Sequence, residues 1–522
     1  MLKRIKKLKK EKLIRAIKWV LAFILIFLAL IIIFSTNWSL INFQFNNFDQ
    51  ILFTLTSSVS TASSDLIEEF IKENVLIPFI ITTAIIIIII IFKHIFKHLE
   101  AHIIIKIRNK SFKLNFYTII KYILLFSLIG YSIYYAMSNL YIVNYIKYSY
   151  IESNFLEVNY VEPEETKLEW PDKKRNLIYI FLESMESTYA DKENGGAYDI
   201  NYIPELTKLA NNNINFSSNN LIGGAHMPYD ASWTMAAMVA QTSGIPLKTI
   251  FNQDDVSTYK DGTTLPGAYS IGDILKDEGY RQYIMVGSDL TFGGRRNYFK
   301  NHGNYTIYDY YTAIDDGIID EDYYVFWGYE DARLFDYAKE ELTKISKSDE
   351  PFNFTMLTVD THFPDGYRDD SCKNTYDDPY LSAINCSSEK LGEFINWIKD
   401  QDFYKNTTII LAGDHLSMNT YSFDNIDPNY QRNVYNVFIN SAIDTDCNKN
   451  RNFTTFDYYP TTLAALGVKI DGERLGLGTN LFSCKETLSE EYGNDYIDER
   501  LMEKSLYYDE CIGSKCDTEK DK

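Results

Sequence analysis

The sequence predicts an α/β protein with transmembrane helices at its N-terminal end and a central, mostly parallel β-sheet in the larger part that follows. Three stretches within residues 1–145 stay apolar over the roughly 20 residues that a bilayer-spanning helix needs. Beyond residue 176, apolar runs of strand length alternate with helical patterns, which is typical of a parallel sheet covered by helices. Charge also divides the chain, because residues 1–121 carry 17 Lys and Arg against 7 Asp and Glu, whereas residues 122–522 carry 34 against 64.

Residues 1–145 are predicted to be a membrane anchor with about three transmembrane helices, at residues 19–38, 75–92 and 118–137. Lys121 lies near the end of the third span, where its long side chain can reach the interface. Basic residues precede the first span and separate the second from the third, whereas the loop between the first and second spans is acidic. The positive-inside rule therefore puts the N-terminus in the cytoplasm and the chain beyond the third span outside. A cleaved signal peptide does not account for the second and third spans.

The six cysteines give separate support for an exported domain, because all of them lie in the part predicted to be outside: Cys372, Cys386, Cys447, Cys484, Cys511 and Cys516. An even number confined to that side indicates disulfides in an oxidising compartment. Proximity in sequence favours pairing Cys372 with Cys386 and Cys511 with Cys516, which leaves Cys447 with Cys484. Other pairings stay open at this point.

The rest of the chain divides by composition into a charged linker at 146–175, an α/β domain at 176–485 and an acidic C-terminal tail at 486–522 that we expect to be solvated. A hydrophobic fraction of 46% excludes wholesale disorder. The net charge of −20 argues against a nucleic-acid partner, because phosphate backbones are bound by clustered Lys and Arg.

Acidic and imidazole side chains follow four predicted strands at the point where each strand ends. Residues 176–182 are followed by Glu183, residues 283–286 by Asp289, residues 352–359 by Asp360 and His362, and residues 407–412 by Asp414 and His415. Ligands of open α/β sheets bind outside the carboxyl ends of the strands, so these side chains are expected to converge. Carboxylates and imidazoles without cysteine suit Zn²⁺ or Mn²⁺. A Glu or Asp after a strand is often only a helix cap, and an Asp-His pair occurs by chance in most chains of this size. Only the repetition at strand ends favours a metal site.

Four segments carry a family resemblance: NLIYIFLESMESTYA at 176–190, SWTMAAMVAQTSGIP at 232–246, FTMLTVDTHFPDG at 354–366 and TTIILAGDHLSMN at 407–419. In this order they resemble the alkaline phosphatase–sulfatase superfamily, and most closely its membrane-anchored phosphoglycerol transferases, with the lipoteichoic acid synthases a near second. The resemblance covers about residues 171–483, and it implies a sulfatase-like or alkaline-phosphatase-like catalytic domain at 176–485.

The resemblance implies roles for individual residues. Glu183, Asp414 and His415 match the family's metal ligands, and the position ten residues before Gly244 makes Thr234 the nucleophile and a further metal ligand. A Thr at this position argues against sulfate ester hydrolysis, because sulfatases oxidise a Cys or Ser there to formylglycine. The remaining matches are His362 as a catalytic and substrate-side histidine and Arg295 as a phosphate-binding residue. Apart from these matches, Asp289 is expected to hydrogen-bond the glycerol hydroxyls of the substrate. His226, in the loop before Thr234, is expected either to face the active site or to cap a helix.

The implied activity is transfer of sn-glycerol-1-phosphate from phosphatidylglycerol to an extracytoplasmic glycan or glycolipid acceptor, through a covalent glycerophospho-threonine. One divalent metal is expected, with Mn²⁺ preferred and Zn²⁺ or Mg²⁺ as alternatives. The expected location is the bacterial cytoplasmic membrane, with a multi-pass anchor and the catalytic domain on the outer side. Alternative activities within the same resemblance are lipoteichoic acid synthase-type polymerisation, phosphoethanolamine transfer and phosphodiester hydrolysis.

Overall fold

The computed structural model describes residues 2–42, 47–56, 64–95, 102–107, 110–248, 264–419 and 421–514. It contains two compact units, one formed by residues 1–48 and 62–144 and the other by residues 49–61 and 145–522. The elements between residues 2 and 149 are α1 (Leu2–Asn42), α2 (Phe48–Thr56), α3 (Ser64–Ile71), α4 (Ile77–Ile95), β1 (His102–Ile107), β2 (Lys110–Asn115), α5 (Phe116–Asn139) and α6 (Ile142–Ser149). A π-helical turn, Lys72–Leu76, joins α3 to α4.

Three helical stretches of the first unit are long and apolar enough to cross a membrane, at Lys9–Ile41, Glu68–Phe92 and Ile119–Asn139. They confirm the three apolar helices predicted from the sequence. Phe79 packs edge-on against Phe23 and Phe27, with ring centroids 5.6 and 5.9 Å apart. The ammonium group of Lys121 lies 4.9 Å from the centroid of the Trp19 ring, so an aromatic face at the end of the first span compensates the charge.

The second unit is built around a seven-stranded sheet with the order β5-β10-β9-β4-β8-β6-β7. Strands β9, β4, β8, β6 and β7 run parallel, whereas β10 is antiparallel to β9 and β5 is antiparallel to β10. The strands are β3 (Leu168–Glu169), β4 (Asn176–Leu182), β5 (Gly224–Ala225), β6 (Arg281–Val286), β7 (Thr306–Tyr308), β8 (Phe352–Leu357), β9 (Thr407–Gly413), β10 (Val434–Ile439), β11 (Lys469–Ile470), β12 (Arg474–Leu475) and β13 (Gly478–Thr479). The mostly parallel sheet predicted from the sequence is confirmed.

Helices cover both faces of this sheet, which is why β8 and β9 are buried throughout and β4 is buried after its first residue. The helices are α7 (Phe155–Asn159), α8 (Pro204–Asn212), α9 (Thr234–Ser243), α10 (Ile271–Asp277), α11 (Arg295–Asn301), α12 (Tyr310–Asp315), α13 (Asp331–Ile345), α14 (Pro379–Lys399), α15 (Tyr458–Ala465), α16 (Leu488–Tyr492) and α17 (Asn494–Met502). Side chains of α9, α10 and α15 contribute to one buried core, and side chains of α8, α13 and α14 contribute to the other.

The structure corrects the expected linker and solvated tail. Phe155 and Leu156 of the predicted linker are buried, and β3 pairs with β11. In the predicted tail, Leu488, Ile497, Leu501, Tyr508 and Ile512 are buried in the core that contains α9. The two segments also meet, since the Phe155 ring packs edge-on against Tyr492 and Tyr496. The acidic composition of the tail hid the apolar side chains spaced along its short helices.

Two of the expected disulfides are present, Cys372–Cys386 and Cys447–Cys484. Cys511 is also disulfide-bonded, while its expected partner Cys516 lies outside the described residues. Within the described part of the chain, cysteine is found only in the second unit and none of it is free.

Candidate metal and nucleophile site

The carboxyl ends of the neighbouring strands β4 and β9 bring three predicted metal ligands together. One ligand atom each from Glu183, Asp414 and His415 lies within 4.8 Å of the other two, and all three residues are buried. The backbone N–H of Ser184 donates to Asp414 Oδ1 at 2.8 Å, which ties the end of β4 to the end of β9. The N–H of Glu183 donates to the Thr358 hydroxyl at 3.1 Å and so ties β4 to the end of β8. The convergence at adjacent strand ends is the geometry that the sequence predicts.

The imidazole of His415 is oriented for metal binding. Its Nδ1 lies 2.9 Å from the carbonyl oxygen of Leu416, and this hydrogen bond places the ring proton on Nδ1. The lone pair of Nε2 therefore faces Glu183 Oε1 at 3.5 Å and Asp414 Oδ2 at 3.4 Å. These separations exceed those of ordinary hydrogen bonds. Asp414 Oδ2 is buried without a hydrogen-bond partner among the described residues.

The buried carboxylates of this cluster are not fully compensated by positive charge from the protein. Burial and the charge of Glu183 raise the pKa of Asp414 to about 8. Burial also opposes ionisation of Glu183, but His415, His362 and a hydrogen bond from Ser184 together lower its pKa. A divalent cation would compensate the two buried carboxylates and satisfy the orphaned oxygen of Asp414. The donor set therefore fits one divalent metal ion.

Thr234 is the first residue of α9, and its hydroxyl reaches the same cluster. Its Oγ1 lies 3.4 Å from Glu183 Oε2 and 3.4 Å from His415 Nε2. The first helical backbone bond of α9 is donated by Ala237, so the N–H groups before it are available to an anion together with the positive end of the helix dipole. The helix ends at Gly244 with φ +65°, a left-handed conformation that favours glycine. A candidate nucleophile, the candidate metal ligands and a helix N-terminus suited to an anion therefore lie together.

His362 lies close enough to Glu183 and His415 for their charges to act on its imidazole. Its Nδ1 is 2.8 Å from the carbonyl oxygen of Phe363, which again places the ring proton on Nδ1. Burial lowers the pKa of His362, and the charge of Glu183 opposes this only in part. The Trp327 ring packs against the imidazole, with centroids 4.6 Å apart. The imidazole of His362 is therefore mainly neutral at pH 7.

Arg295, the first residue of α11, is buried and held by backbone carbonyls. Its Nε donates to Phe292 O and its Nη2 to Asp289 O, both at 2.9 Å. Burial lowers its pKa to about 10, with Glu183 among the opposing charges, so it keeps its charge at neutral pH. The Asp289 carboxylate accepts the Thr291 N–H at 2.7 Å, so one of its oxygens closes a turn rather than facing a ligand.

Two features of the site escaped the sequence reasoning. Glu186 is fully buried and forms a two-pronged ion pair with Arg432, and its Oε1 also accepts the N–H of Ser417, two residues beyond His415. Glu186 lies in the segment 176–190 that carries the family resemblance, but no sequence pattern around Arg432 predicts its ion pair with Glu186. His226 does not cap a helix N-terminus through a side-chain bond: its Nε2 pairs with Asp498 Oδ2 of α17 at 2.9 Å.

Fold and site together define an α/β protein that presents a candidate divalent-metal cluster and a hydroxyl nucleophile at the carboxyl edge of a parallel sheet. Residues 175–468, more than half of the chain, match the sulfatase family. The protein therefore belongs to the sulfatase family, and the resemblance to the alkaline phosphatase–sulfatase superfamily is confirmed.

Relatives with curated names give finer comparisons. The chain is 33% identical over 331 residues to phosphoglycerol transferase I of Salmonella choleraesuis (strain SC-B67), covering 62% of this chain and 41% of the relative. It is 34% identical over 282 residues to phosphoglycerol transferase I of Escherichia coli (strain 55989 / EAEC), covering 53% of this chain and 35% of the relative. The chain thus spans less than half the length of these relatives.

Solved structures also resemble the chain. The lipoteichoic acid synthase LtaP from Listeria monocytogenes superimposes with a TM-score of 0.46 at 19% identity, covering 61% of this chain and 79% of that one. The integral membrane lipooligosaccharide phosphoethanolamine transferase A (EptA) from Neisseria meningitidis superimposes with a TM-score of 0.48 at 14% identity, covering 86% of this chain and 84% of that one.

Proposed function

We propose that this protein transfers glycerol phosphate from phosphatidylglycerol to an extracytoplasmic glycan or glycolipid, with Thr234 as the nucleophile. The observation that carries the proposal is the position of the Thr234 hydroxyl, 3.4 Å from both Glu183 and His415 at the N-terminus of α9. The names of the curated relatives support phosphoglycerol as the group transferred. We propose Mn²⁺ as the metal, with Zn²⁺ and Mg²⁺ as alternatives, held by Glu183, Asp414, His415 and Thr234.

The bound metal would supply a Lewis acid that lowers the pKa of the Thr234 hydroxyl and neutralises phosphoryl oxygens. Thr234 Oγ1 forms a bond to the phosphorus of phosphatidylglycerol, and the bond from phosphorus to the diacylglycerol oxygen breaks. The hydroxyl proton of Thr234 is transferred to the departing oxygen, which leaves as diacylglycerol. The N-terminus of α9 and the guanidinium of Arg295 stabilise the anionic phosphoryl group during this step.

In the second step an acceptor hydroxyl attacks the same phosphorus. His362 Nε2 takes the proton of that hydroxyl, a bond forms between the acceptor oxygen and phosphorus, and the bond to Thr234 Oγ1 breaks. His362 then passes that proton to Thr234 Oγ1, which returns the enzyme to its starting state. The lowered pKa of His362 suits it to this role of base. Asp289, whose backbone carbonyl accepts a hydrogen bond from Arg295, is our candidate for contact with the glycerol hydroxyls.

We propose that the three apolar helices cross the bacterial cytoplasmic membrane and that the second unit lies on its outer side. The donor is a membrane lipid, and an anchored domain remains at the leaflet that supplies it. The basic segments flanking the first and third helices on one side support this orientation. Disulfides confined to the second unit support an oxidising compartment.

The test uses the full chain in lipid nanodiscs that contain fluorescent phosphatidylglycerol, with Mn²⁺ added. We expect release of diacylglycerol and a glycerophosphate adduct on Thr234, detected by mass spectrometry of the peptide. Thr234→Ala should abolish both signals. Thr242→Ala is the matched control, because Thr242 lies at the other end of α9 and hydrogen-bonds to Met238 O and the Tyr298 hydroxyl.

Release of diacylglycerol by Thr234→Ala at the wild-type rate would overturn the mechanism. Nanodiscs with phosphatidylethanolamine as the sole donor test phosphoethanolamine transfer, and free glycerol phosphate without an acceptor product would indicate a phosphodiesterase. Chains of repeated glycerol phosphate on the acceptor would indicate a lipoteichoic acid synthase-type polymerase.

A further inference from the structure

Three aromatic rings form a continuous strip beside the catalytic cluster, which we call the aromatic platform: Phe292, Trp327 and His362. The Trp327 ring centroid lies 4.6 Å from that of His362 and 6.0 Å from that of Phe292. Phe292 is 36% exposed and Trp327 is half-buried, so the platform is open to solvent along part of its surface. The guanidinium of Arg295 lies 5.7 Å from the Phe292 centroid, which continues the strip to the proposed phosphate-binding residue.

The position of Trp327 is held by the backbone at a cost in strain. Trp327 has φ +54°, a left-handed conformation that a bulky side chain rarely adopts. The next residue, Gly328, has φ +142°, and a Cβ there would lie 2.0 Å from the carbonyl oxygen of Gly287. Tyr329 N–H donates to the same carbonyl at 3.0 Å. The loop that carries Trp327 therefore packs tightly against the end of β6, and the segment with Arg295 follows that strand. Backbone strain of this kind is common at functional sites.

We propose that the aromatic platform binds a sugar ring of the acceptor and that Trp327 is its specificity-determining residue. This inference rests on the proposed function and adds the acceptor subsite to it. The C–H bonds on one face of a pyranose carry partial positive charge and stack against the negative face of an aromatic ring. A ring seated on Trp327 lies next to His362 Nε2, the base that takes the proton of the acceptor hydroxyl.

The chemistry of the surroundings favours a neutral glycan over a second anionic lipid at this place. Residues 122–522 carry 34 Lys and Arg against 64 Asp and Glu, so an uncharged acceptor avoids the repulsion that an anion meets. Within the platform, Trp327 packs against His362, the residue that handles the acceptor, and the Phe292 ring lies between Trp327 and Arg295. Truncation of Trp327 is therefore expected to act on the second step and to leave formation of the threonine adduct unaffected.

The experiment separates the two steps in the full chain, reconstituted in nanodiscs with phosphatidylglycerol and Mn²⁺. The Thr234 adduct is first accumulated without an acceptor, and its breakdown is then followed with a β-linked glucose oligosaccharide or with glycerol. We expect Trp327→Ala to form the adduct at the wild-type rate and to transfer to glycerol normally, while transfer to the oligosaccharide slows by about tenfold or more. Trp327→Phe should restore much of this loss. Trp397→Ala, which removes a half-buried Trp stacked on Phe394 in α14, should change neither step.

Each remaining outcome counts against a defined statement. An equal slowing of transfer to glycerol and to the oligosaccharide would mean that Trp327 only supports His362, and the sugar subsite would be wrong. A wild-type adduct that the oligosaccharide does not discharge would also overturn it. Slower adduct formation by Trp327→Ala would assign the platform to the donor lipid. Absence of the adduct in the wild-type protein would instead overturn the proposed function itself.

Discussion

At the scale of single residues, the pair formed by Glu186 and Arg432 links the two loops that carry the metal ligands. Glu186 lies three residues beyond Glu183 and is fully buried, and its carboxylate accepts from Arg432 and from the N–H of Ser417. Arg432 in turn donates to the carbonyl of Ser417 at 2.9 Å and packs over the Phe423 ring at 3.8 Å. Because Ser417 closely follows His415, this pair holds the loops after β4 and β9 at a fixed separation.

We therefore predict that Arg432→Met lowers the affinity of the site for Mn²⁺ by about 10- to 100-fold, as loss of partners behind metal ligands generally does. Removal of one member of a buried pair also leaves the Glu186 charge uncompensated, which costs about 3–5 kcal/mol of stability. Isothermal titration of Mn²⁺ into the full chain in detergent measures the affinity, and thermal unfolding measures the stability.

Arg451→Met is the matched control for this substitution. Arg451 and Glu490 also form a largely buried ion pair, 2.7 Å apart, with no metal ligand on either loop. Arg451→Met should lower the stability of the protein and leave its affinity for Mn²⁺ unchanged. If both variants bind Mn²⁺ as the wild type does, the Glu186–Arg432 pair has only a structural role.

The protonation state of His362 leads to a second prediction. Burial lowers the pKa of this imidazole below its ordinary value of about 6.5. Its neutral form, which can accept the proton of the acceptor, is therefore the main form at pH 7 and persists to lower pH than in an ordinary histidine. Protonation at still lower pH removes the base, so the rate of adduct breakdown should fall on that acid side.

The measurement is the single-turnover breakdown of the Thr234 adduct between about pH 5 and pH 8, the range in which histidines titrate. His362→Gln should be slower throughout and should lack the acid limb that belongs to His362. If His362→Gln loses activity over the same acidic pH range as the wild type, another group causes that loss, and His362 is not the base.

At the scale of elements, the C-terminal segment supports both ends of the segment that contains α9. Asp498 of α17 accepts from the N–H of Tyr229 at 2.8 Å and pairs with His226 before the helix. The Tyr508 hydroxyl donates to Pro246 O at 3.0 Å, and Lys248 N–H donates to that hydroxyl at 2.9 Å after the helix. The segment therefore fixes where α9 begins and thus where Thr234 lies.

We predict that Leu501→Ala lowers the free energy of unfolding of the second unit by about 2–5 kcal/mol, because Leu501 is fully buried and its loss leaves a cavity. Denaturant titration followed by tryptophan fluorescence measures this change. Glu499→Ala, at a half-exposed position of the same helix, should leave the stability within about 0.5 kcal/mol of the wild type. A stable Leu501→Ala would mean that residues 486–514 are not part of the folded core.

The strands and their terminal residues were predictable because the signal is local. Residues 176–182 and 407–412 are strand-length runs that are apolar after their first one or two residues, and the polar residues that follow them converge wherever such strands lie side by side. The identity of Thr234 as the candidate nucleophile came from family resemblance alone. The Glu186–Arg432 pair joins residues 246 positions apart, and no periodicity encodes such a contact. The packing of the C-terminal helices was not predicted, because their sequence is mostly charged and contains only a few apolar residues, which are the ones buried in the core.

At the scale of the whole molecule, the uneven distribution of charge bears on how a donor lipid reaches the site. Residues 1–121 carry a net charge of +10 and residues 122–522 carry −30. Phosphatidylglycerol is itself anionic, so the second unit as a whole repels the substrate that we propose for it. The local attraction must come from Arg295, the N-terminus of α9 and the bound metal.

This balance predicts an unusual dependence on salt. The Debye length is about 30 Å at 0.01 M and about 10 Å at 0.1 M ionic strength, so added KCl screens the long-range repulsion, while the buried contacts at Arg295 are screened much less. We therefore expect the apparent KM for phosphatidylglycerol, measured by its mole fraction in nanodiscs of otherwise zwitterionic lipid, to fall as KCl is raised, with kcat unchanged. Sucrose at matched osmolality should have no such effect. A KM that rises with KCl would show that an exposed basic surface recruits the lipid, and the site would then not depend on buried positive charge alone.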